Sequence, residues 1–326
     1  MSTSYKLQAT SGAMQQELST STSLFLQGKP KAPPLGGVWG GREFWGGLGV
    51  FLLSFLICFA THAAEADSVP PLRPVTAMFT AEVGHANVLD TYLTPIAYGG
   101  IHCALGYTAT QATGFDPHRW VRQLAFEASY SPTHNPVGNR TLHTLMVEGR
   151  WGMMHRWQGW SPGVRLLFGG DTRLRGGAVY NPSGSNNVVS ARIHWSVGAA
   201  SMVVWHTRMG RLPVTCSYAV SLPLAGVFFS PEYDESYYEI YLGNRSHLAH
   251  FGWWGNRFDL DHRLSLDLHL GGTTMRVGYH GRVERSWVSH LNTHHVTHAL
   301  VIGIGGDFLS IPRQGINPKA RIVNGL

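Results

Sequence analysis

Only 13% of the 326 residues are charged, glycine is abundant at 39, and the net charge is +6 with all 18 histidines neutral. That composition suits strands and tight turns better than a helical enzyme, and the chain has no basic run interleaved with aromatics, so nucleic acid is excluded as a partner. At 44% hydrophobic the chain can bury a substantial core, and its length suggests about two domains unless it forms one large barrel.

Residues 1–64 read as a leader plus signal peptide. The apolar run from Val50 to Ala60 matches a signal-peptide core and falls short of the roughly 20 residues of a spanning helix. The small residues after it predict cleavage following Ala64 or Ala66 and place the signal around residues 43–64. The polar stretch 1–42, with Lys29, Lys31 and Arg42 as its basic residues nearest the apolar run, is a long approach to such a signal, and a retained signal anchor is the competing reading. Cys58 follows Phe-Leu-Ile, without the small residues of a lipid-attachment site. Residues 65–74 form a linker.

From there to residue 309 the sequence alternates between apolar and polar residues. Ten strands are predicted, at about 75–83, 101–112, 119–131, 140–157, 160–175, 188–206, 211–223, 259–270, 273–288 and 294–309. Ten is even, as single-chain outer-membrane barrels require, with eight and twelve as the neighbouring choices. Connections at 113–118, 158–159, 207–210 and 271–272 are short, while 84–100, 132–139, 176–187 and 224–258 are long. Short turns alternating with long loops are a barrel signature. The predicted fold is therefore an all-β, antiparallel outer-membrane barrel over residues 75–309, with a tail at 310–326.

The clearest stretch is "HRLSLDLHL" followed by Gly271-Gly272. Leu264, Leu266, Leu268 and Leu270 alternate with Arg263, Ser265, Asp267 and His269, which is a strand's period and no helix's. A two-residue Gly-Gly loop predicts a hairpin whose opposed residue numbers sum to a constant. Asp267 then faces Arg276 and Asp261 faces Arg282, while Leu268, Leu266 and Leu264 face Met275, Val277 and Tyr279. Parity places Leu105, Phe126, Val147, Ile193, Trp195 and Ile302 on the lipid side. It places Glu127, Glu148, Arg150, Arg192, His194, Asp267, Arg276, His280 and Arg282 in the lumen, where the ionic network is expected to plug a barrel of this size. Cys103 and Cys216 fall on outward positions of distant strands and are predicted to be free thiols.

His294, His295 and His298 carry metal-ligand residue types, but His294 and His298 lie on the lipid side of the last strand, and no metal or other cofactor is predicted. "GIGGDF" lacks the helix start of a phosphate loop. The aromatic-rich connections "GHANVLDTYLTPIAYGG" and "GVFFSPEYDESYYEIYLG" are expected to meet over the outer opening. Asp90, Tyr92, Tyr233, Tyr237 and Glu239 form the candidate extracellular recognition surface.

These two stretches and the final histidine-bearing strand resemble the DUF3316 family of Bacteroidota envelope proteins. The likeness rests on Leu89-Asp90-Thr91-Tyr92-Leu93 with Pro95, on Phe229-Ser230-Pro231 through Ser236-Tyr237-Tyr238-Glu239, and on His294 and His298, with Thr94 where the family usually has serine. It spans about residues 80–309 and implies a signal-bearing envelope protein with no assigned catalytic residue. The sequence thus favours a non-enzymatic outer-membrane barrel of polar, plugged lumen, embedded in outer-membrane lipid, whose loops bind or occlude an extracellular ligand or envelope protein. A phospholipase-type lipid hydrolase using Ser289 and His298, or a narrow pore, are the alternatives.

Overall fold

The computed structural model describes residues 71–158, 161–184, 187–232, 236–243, 247–309 and 321–325. The expected leader, signal peptide and cleavage site lie outside the described residues. Strands β1 (Val75–Asp90), β2 (Thr94–Ala112), β3 (Trp120–His134), β4 (Thr141–Gln158), β5 (Val164–Tyr180), β6 (Val189–Met209) and β7 (Leu212–Phe229) follow one another as antiparallel neighbours. After helix α1 (Tyr237–Tyr241) and the short β8 (Ala249–Trp253) come β9 (Arg257–Leu270), β10 (Thr273–Val288) and β11 (Leu291–Phe308). Strand β11 pairs with β1 from Val75↔Phe308 to Asp90↔Thr293, and β6 pairs with β7. All strands but β8 thus form one closed ring without a free edge. Strand β9 pairs with β7 only between Val214↔Leu268 and Ser221↔Asp261. Strand β8 covers the outer end of β7, from Ala225↔Trp253 to Phe229↔Ala249.

Parity along each strand divides two environments. Leu105 is 70% exposed, Leu300 69% and Ile302 65%, whereas Arg173 and Arg175 are 1% exposed and Arg282 2%. A water-soluble barrel would reverse that order, since charge belongs in water and leucine in grease. The apolar exterior and charged interior are those of an outer-membrane barrel, and the protein is one. Two small apolar clusters sit inside the lumen, at the inner end around Val121, Leu167 and Val204 and at the outer end around Val88, Leu142 and Val179.

The hairpin registers as its charges and leucines require, with Asp267↔Arg276, Asp261↔Arg282, Leu266↔Val277 and Leu264↔Tyr279. Cys103 and Cys216 are free thiols on β2 and β7.

Three expectations need correction. Residues 84–100 are not a loop: β1 and β2 continue to a turn at 91–93, paired through His85↔Ile101 and Asn87↔Gly99. Outward positions there include His85 and Asn87, and backbone pairing continues where the hydropathy pattern stops. The last strand begins at Leu291, not 294, because Ser289 (φ 50°) and His290 (φ 64°) alone make the turn. Both occupy the left-handed region, which hairpin turns demand but which non-glycine residues seldom enter. Loop lengths do not alternate either. The outer turns 91–93 and 289–290 are as tight as the inner turns 210–211 and 271–272, and 230–256 is the one extended connection among the barrel strands described.

At the inner mouth the chain returns. Leu72 bridges Ile322, Val323 donates its N–H to the Leu72 carbonyl at 2.9 Å, and Arg156 donates to the carbonyls of Asn324 and Gly325 at 2.8 Å each.

Candidate functional site

Three tiers of polar groups fill the lumen. At the inner end Arg276 forms a bidentate pair with Asp267, Nε to Oδ1 and Nη2 to Oδ2, both at 2.7 Å. The strand register sets this pair, and the guanidinium fork matches the carboxylate plane. Asp267→Ala is expected to cost about 1–3 kcal/mol by leaving the partly buried guanidinium without its acceptor. The double change with Arg276→Ala should cost less than the two single changes summed, and strict additivity in urea unfolding of the lipid-embedded barrel would contradict the pairing.

The middle tier crosses the barrel. Arg282 on β10 donates to Glu127 on β3 (2.8 Å) and to Asp261 on β9 (2.8 Å), and pairs with Glu148 on β4 at 3.2 Å. Strands β3 and β4 lie opposite β10 in the ring, so one side chain links facing walls. Arg263 donates to Glu127 at 2.6 Å, Arg175 to Glu148 at 3.1 Å, and Arg150 pairs with Asp261 at 3.6 Å. His280 places Nδ1 2.6 Å from Glu82 and Nε2 3.1 Å from Asp261. A carboxylate thus stands at each nitrogen of the ring.

Among the described residues the carboxylates of Glu82, Asp90, Glu127, Glu148, Asp171, Asp259, Asp261, Asp267 and Glu284 are interleaved along the lumen with the guanidiniums of Arg150, Arg173, Arg175, Arg192, Arg257, Arg263, Arg276 and Arg282, and Arg156 and Arg165 share the inward parity nearer the inner mouth. Both signs of charge thus line the lumen, unlike the single-sign rings that select ions in channels. Glu82, Glu127 and His280 converge closely enough to hold a cation. Their ligand atoms are already engaged, however, since Glu127 accepts from Arg263 and Arg282 and His280 bonds to Glu82 and Asp261. A metal there would have to displace two guanidiniums.

The outer tier surrounds a chamber. Arg192 pairs with Asp90 at 2.9 Å, and Arg257 pairs with Asp259 at 3.0 Å while donating to His194 Nδ1 at 3.1 Å. The chamber is walled by Asp90, Arg192, His194 and Arg257 with Thr144, Phe228, Glu284 and His295, and has room for roughly three waters. Above it, Tyr237 from α1 packs edge-on against Tyr92 (centroids 5.6 Å apart), stacks on Phe229 (6.4 Å) and accepts the Ala191 N–H at 2.6 Å. Burial holds the Tyr237 phenol above its ordinary pKa. Ser236 and Glu239 start α1 with reciprocal bonds, Ser236 N–H to Glu239 Oε2 at 2.7 Å and Glu239 N–H to Ser236 Oγ at 3.3 Å, the capping-box arrangement. Those bonds from Ser236 hold the exposed Glu239 carboxyl below its ordinary range.

The proposed recognition residues therefore separate. Asp90, Tyr92 and Tyr237 come together, but Asp90 (0% exposed) and Tyr92 (8%) are buried rather than displayed. The cause is the continuation of β1, which turns Asp90 into the lumen. Glu239 faces solvent as a cap, and Tyr233 lies outside the described residues. The luminal set of Glu127, Glu148, Arg150, His280 and Arg282 meets in the middle tier, Asp267 and Arg276 stand apart below it, and Arg192 stands above. Sequence reading missed Glu82, Arg173, Arg175, Arg257 and Asp259, although alternation in "TRLRG" marks Arg173 and Arg175 as sharing a face. Ser289 and His298 are not neighbours. His298 faces Gly281 on β10 and bonds to Tyr279 at 2.5 Å, on the lipid side, while Ser289 sits in the outer turn.

A family model described as "Protein of unknown function (DUF3316)" matches residues 50–315. No curated protein matches the chain. Among solved structures, the outer membrane protease OmpT from Escherichia coli is similar at 6% identity and TM-score 0.36, covering 76% of this chain and 100% of its own. Neisserial surface protein A is similar at 11% identity and TM-score 0.30, covering 71% and 97%. The translocator domain of autotransporter NalP from Neisseria meningitidis is similar at 9% identity and TM-score 0.33, covering 82% and 97%. Scores this low carry no inference about activity.

Proposed function

The chain belongs to the DUF3316 family, and from that premise we propose a non-enzymatic outer-membrane barrel whose lumen is plugged by its ionic network and whose outer chamber is a binding site. One observation carries this reading: Arg282, 2% exposed, ties β10 to β3, β4 and β9 across the lumen. A path for solute would have to break several charge-assisted bonds at once, each stronger than a neutral hydrogen bond. The mixed signs of charge along the lumen further support a plug over a selective pore. The separation of Ser289 from His298 leaves the lipid-hydrolase reading without its catalytic pair.

The test is conductance of the folded full chain in planar bilayers, with fatty-acid release from phospholipid vesicles measured on the same preparation. A silent barrel that releases no fatty acid is the expected result. Stable single-channel steps would overturn the plug, and catalytic turnover of lipid would overturn the non-enzymatic reading.

A further inference from the structure

Buried side-chain atoms without a hydrogen-bond partner in the protein converge on the outer chamber. Five of them belong to its walls: Thr144 Oγ1, Arg192 Nε, His194 Nε2, Glu284 Oε1 and His295 Nε2. Thr144 is 2% exposed, His194 3% and His295 6%. Two of them stand near an opposite charge, Glu284 Oε1 at 3.2 Å from Arg175 and His194 Nε2 at 4.0 Å from Asp259, yet none of the five makes a hydrogen bond, which favours a ligand that supplies one.

Their chemistry is not symmetrical. Arg257 Nη2 can only donate, and it lies 3.1 Å from His194 Nδ1. Nδ1 is therefore the acceptor and the proton sits on Nε2, which is a donor. Arg192 Nε is a donor too, since its Nη2 is already committed to Asp90. Both arise from β6, two residues apart on the inward face. Glu284 arises from β10 and faces His295 across the β10–β11 pair. Its Oε1 lies 3.2 Å from Arg175 Nη1 but outside hydrogen-bond geometry, so it can still accept. One wall thus offers two donors and the other a carboxylate oxygen. The paired charges Arg192–Asp90 and Arg257–Asp259 leave little net field to favour a simple anion or cation.

We propose that the outer chamber binds a small zwitterion of amino-acid type, with its carboxylate toward Arg192 and His194 and its ammonium toward Glu284. This rests on the reading of the chamber as a binding site and adds the ligand's class. The chamber has room for roughly three waters, which suits a small amino acid better than a bulky one. Tyr92, one of its walls, packs edge-on against Tyr237.

The experiment titrates the full chain, folded in detergent micelles, with glycine, alanine, leucine, acetate and methylamine, followed by saturation-transfer NMR. Glycine and alanine should bind saturably. Leucine, acetate and methylamine should each bind at least about ten-fold more weakly, a difference of 1.4 kcal/mol. His194→Phe removes the donor and should weaken glycine about ten-fold or more, whereas His194→Gln retains an N–H and should stay within about three-fold of wild type. Glu284→Gln should lower the preference for glycine over acetate. Should His194→Phe not fold, judged by gel mobility before and after boiling, the ligand series on wild type and the Glu284→Gln preference decide alone. Equal binding of glycine and acetate, or no saturable glycine binding, overturns the inference. A barrel that is silent in bilayers yet does not bind glycine loses only this inference, whereas one that conducts loses the plug whatever it binds.

Discussion

Arg282→Ala is expected to destabilise the barrel by about 3–5 kcal/mol, because removing one partner of a buried ion cluster leaves uncompensated charge behind. The side chain is 2% exposed and contacts Glu127, Glu148 and Asp261. Each of those carboxylates keeps another guanidinium, Arg263, Arg175 and Arg150 respectively, which limits the loss to that range. Arg282→Lys keeps the charge but cannot reach three carboxylates from one ammonium, so it should fall between wild type and alanine. The measurement is the urea midpoint of tryptophan fluorescence in lipid vesicles. A shift worth less than about 1 kcal/mol, the scale of an exposed ion pair, would mean that Arg282 is effectively solvated.

Leu266→Arg acts on the opposite face. Leu266 points outward between Cys216 on β7 and Val277 on β10, within a band that continues through Ile302 on β11. Arginine at the middle of the bilayer on a barrel's lipid face costs about 2–4 kcal/mol, falling to about 0–1 near the interfaces. Trp287→Arg, exposed beside the outer turn, supplies the depth control. Equal costs at the two positions, read from the same vesicle unfolding, would place the lipid boundary elsewhere.

These two residues also show what could be read from the sequence. Around Gly271-Gly272 hydropathy and charge imposed the same register, so Leu266 and Arg282 could each be assigned to a face before any coordinates existed. Where only one constraint acts, the reading failed. His85 and Asn87 occupy outward positions, and nothing in their polarity distinguishes a strand from a loop. The Ser289-His290 turn lacks the glycine or asparagine that usually announces positive φ. The helix start that carries Tyr237 was recoverable, since Ser236 and Glu239 on either side of it have capping-box spacing. The chamber was not, because His194, Glu284 and His295 come from β6, β10 and β11 and meet only after the ring closes.

The clasp at the inner mouth bears on how the chain could be rewired. Val75 lies opposite Phe308 and Leu72 beside Ile322, so the segments entering and leaving the barrel run together at one end. Of the ring's pairings, β1 with β11 joins the residues most distant in sequence, and loop-closure entropy makes it the slowest to find. In geometry it is an ordinary antiparallel pair. Linking the two flanks and cutting the chain at the Ser289–His290 turn would preserve every strand pairing and move the costly closure to β10 and β11. The seam is thus set by chain connectivity and not by the architecture, which is circularly permutable.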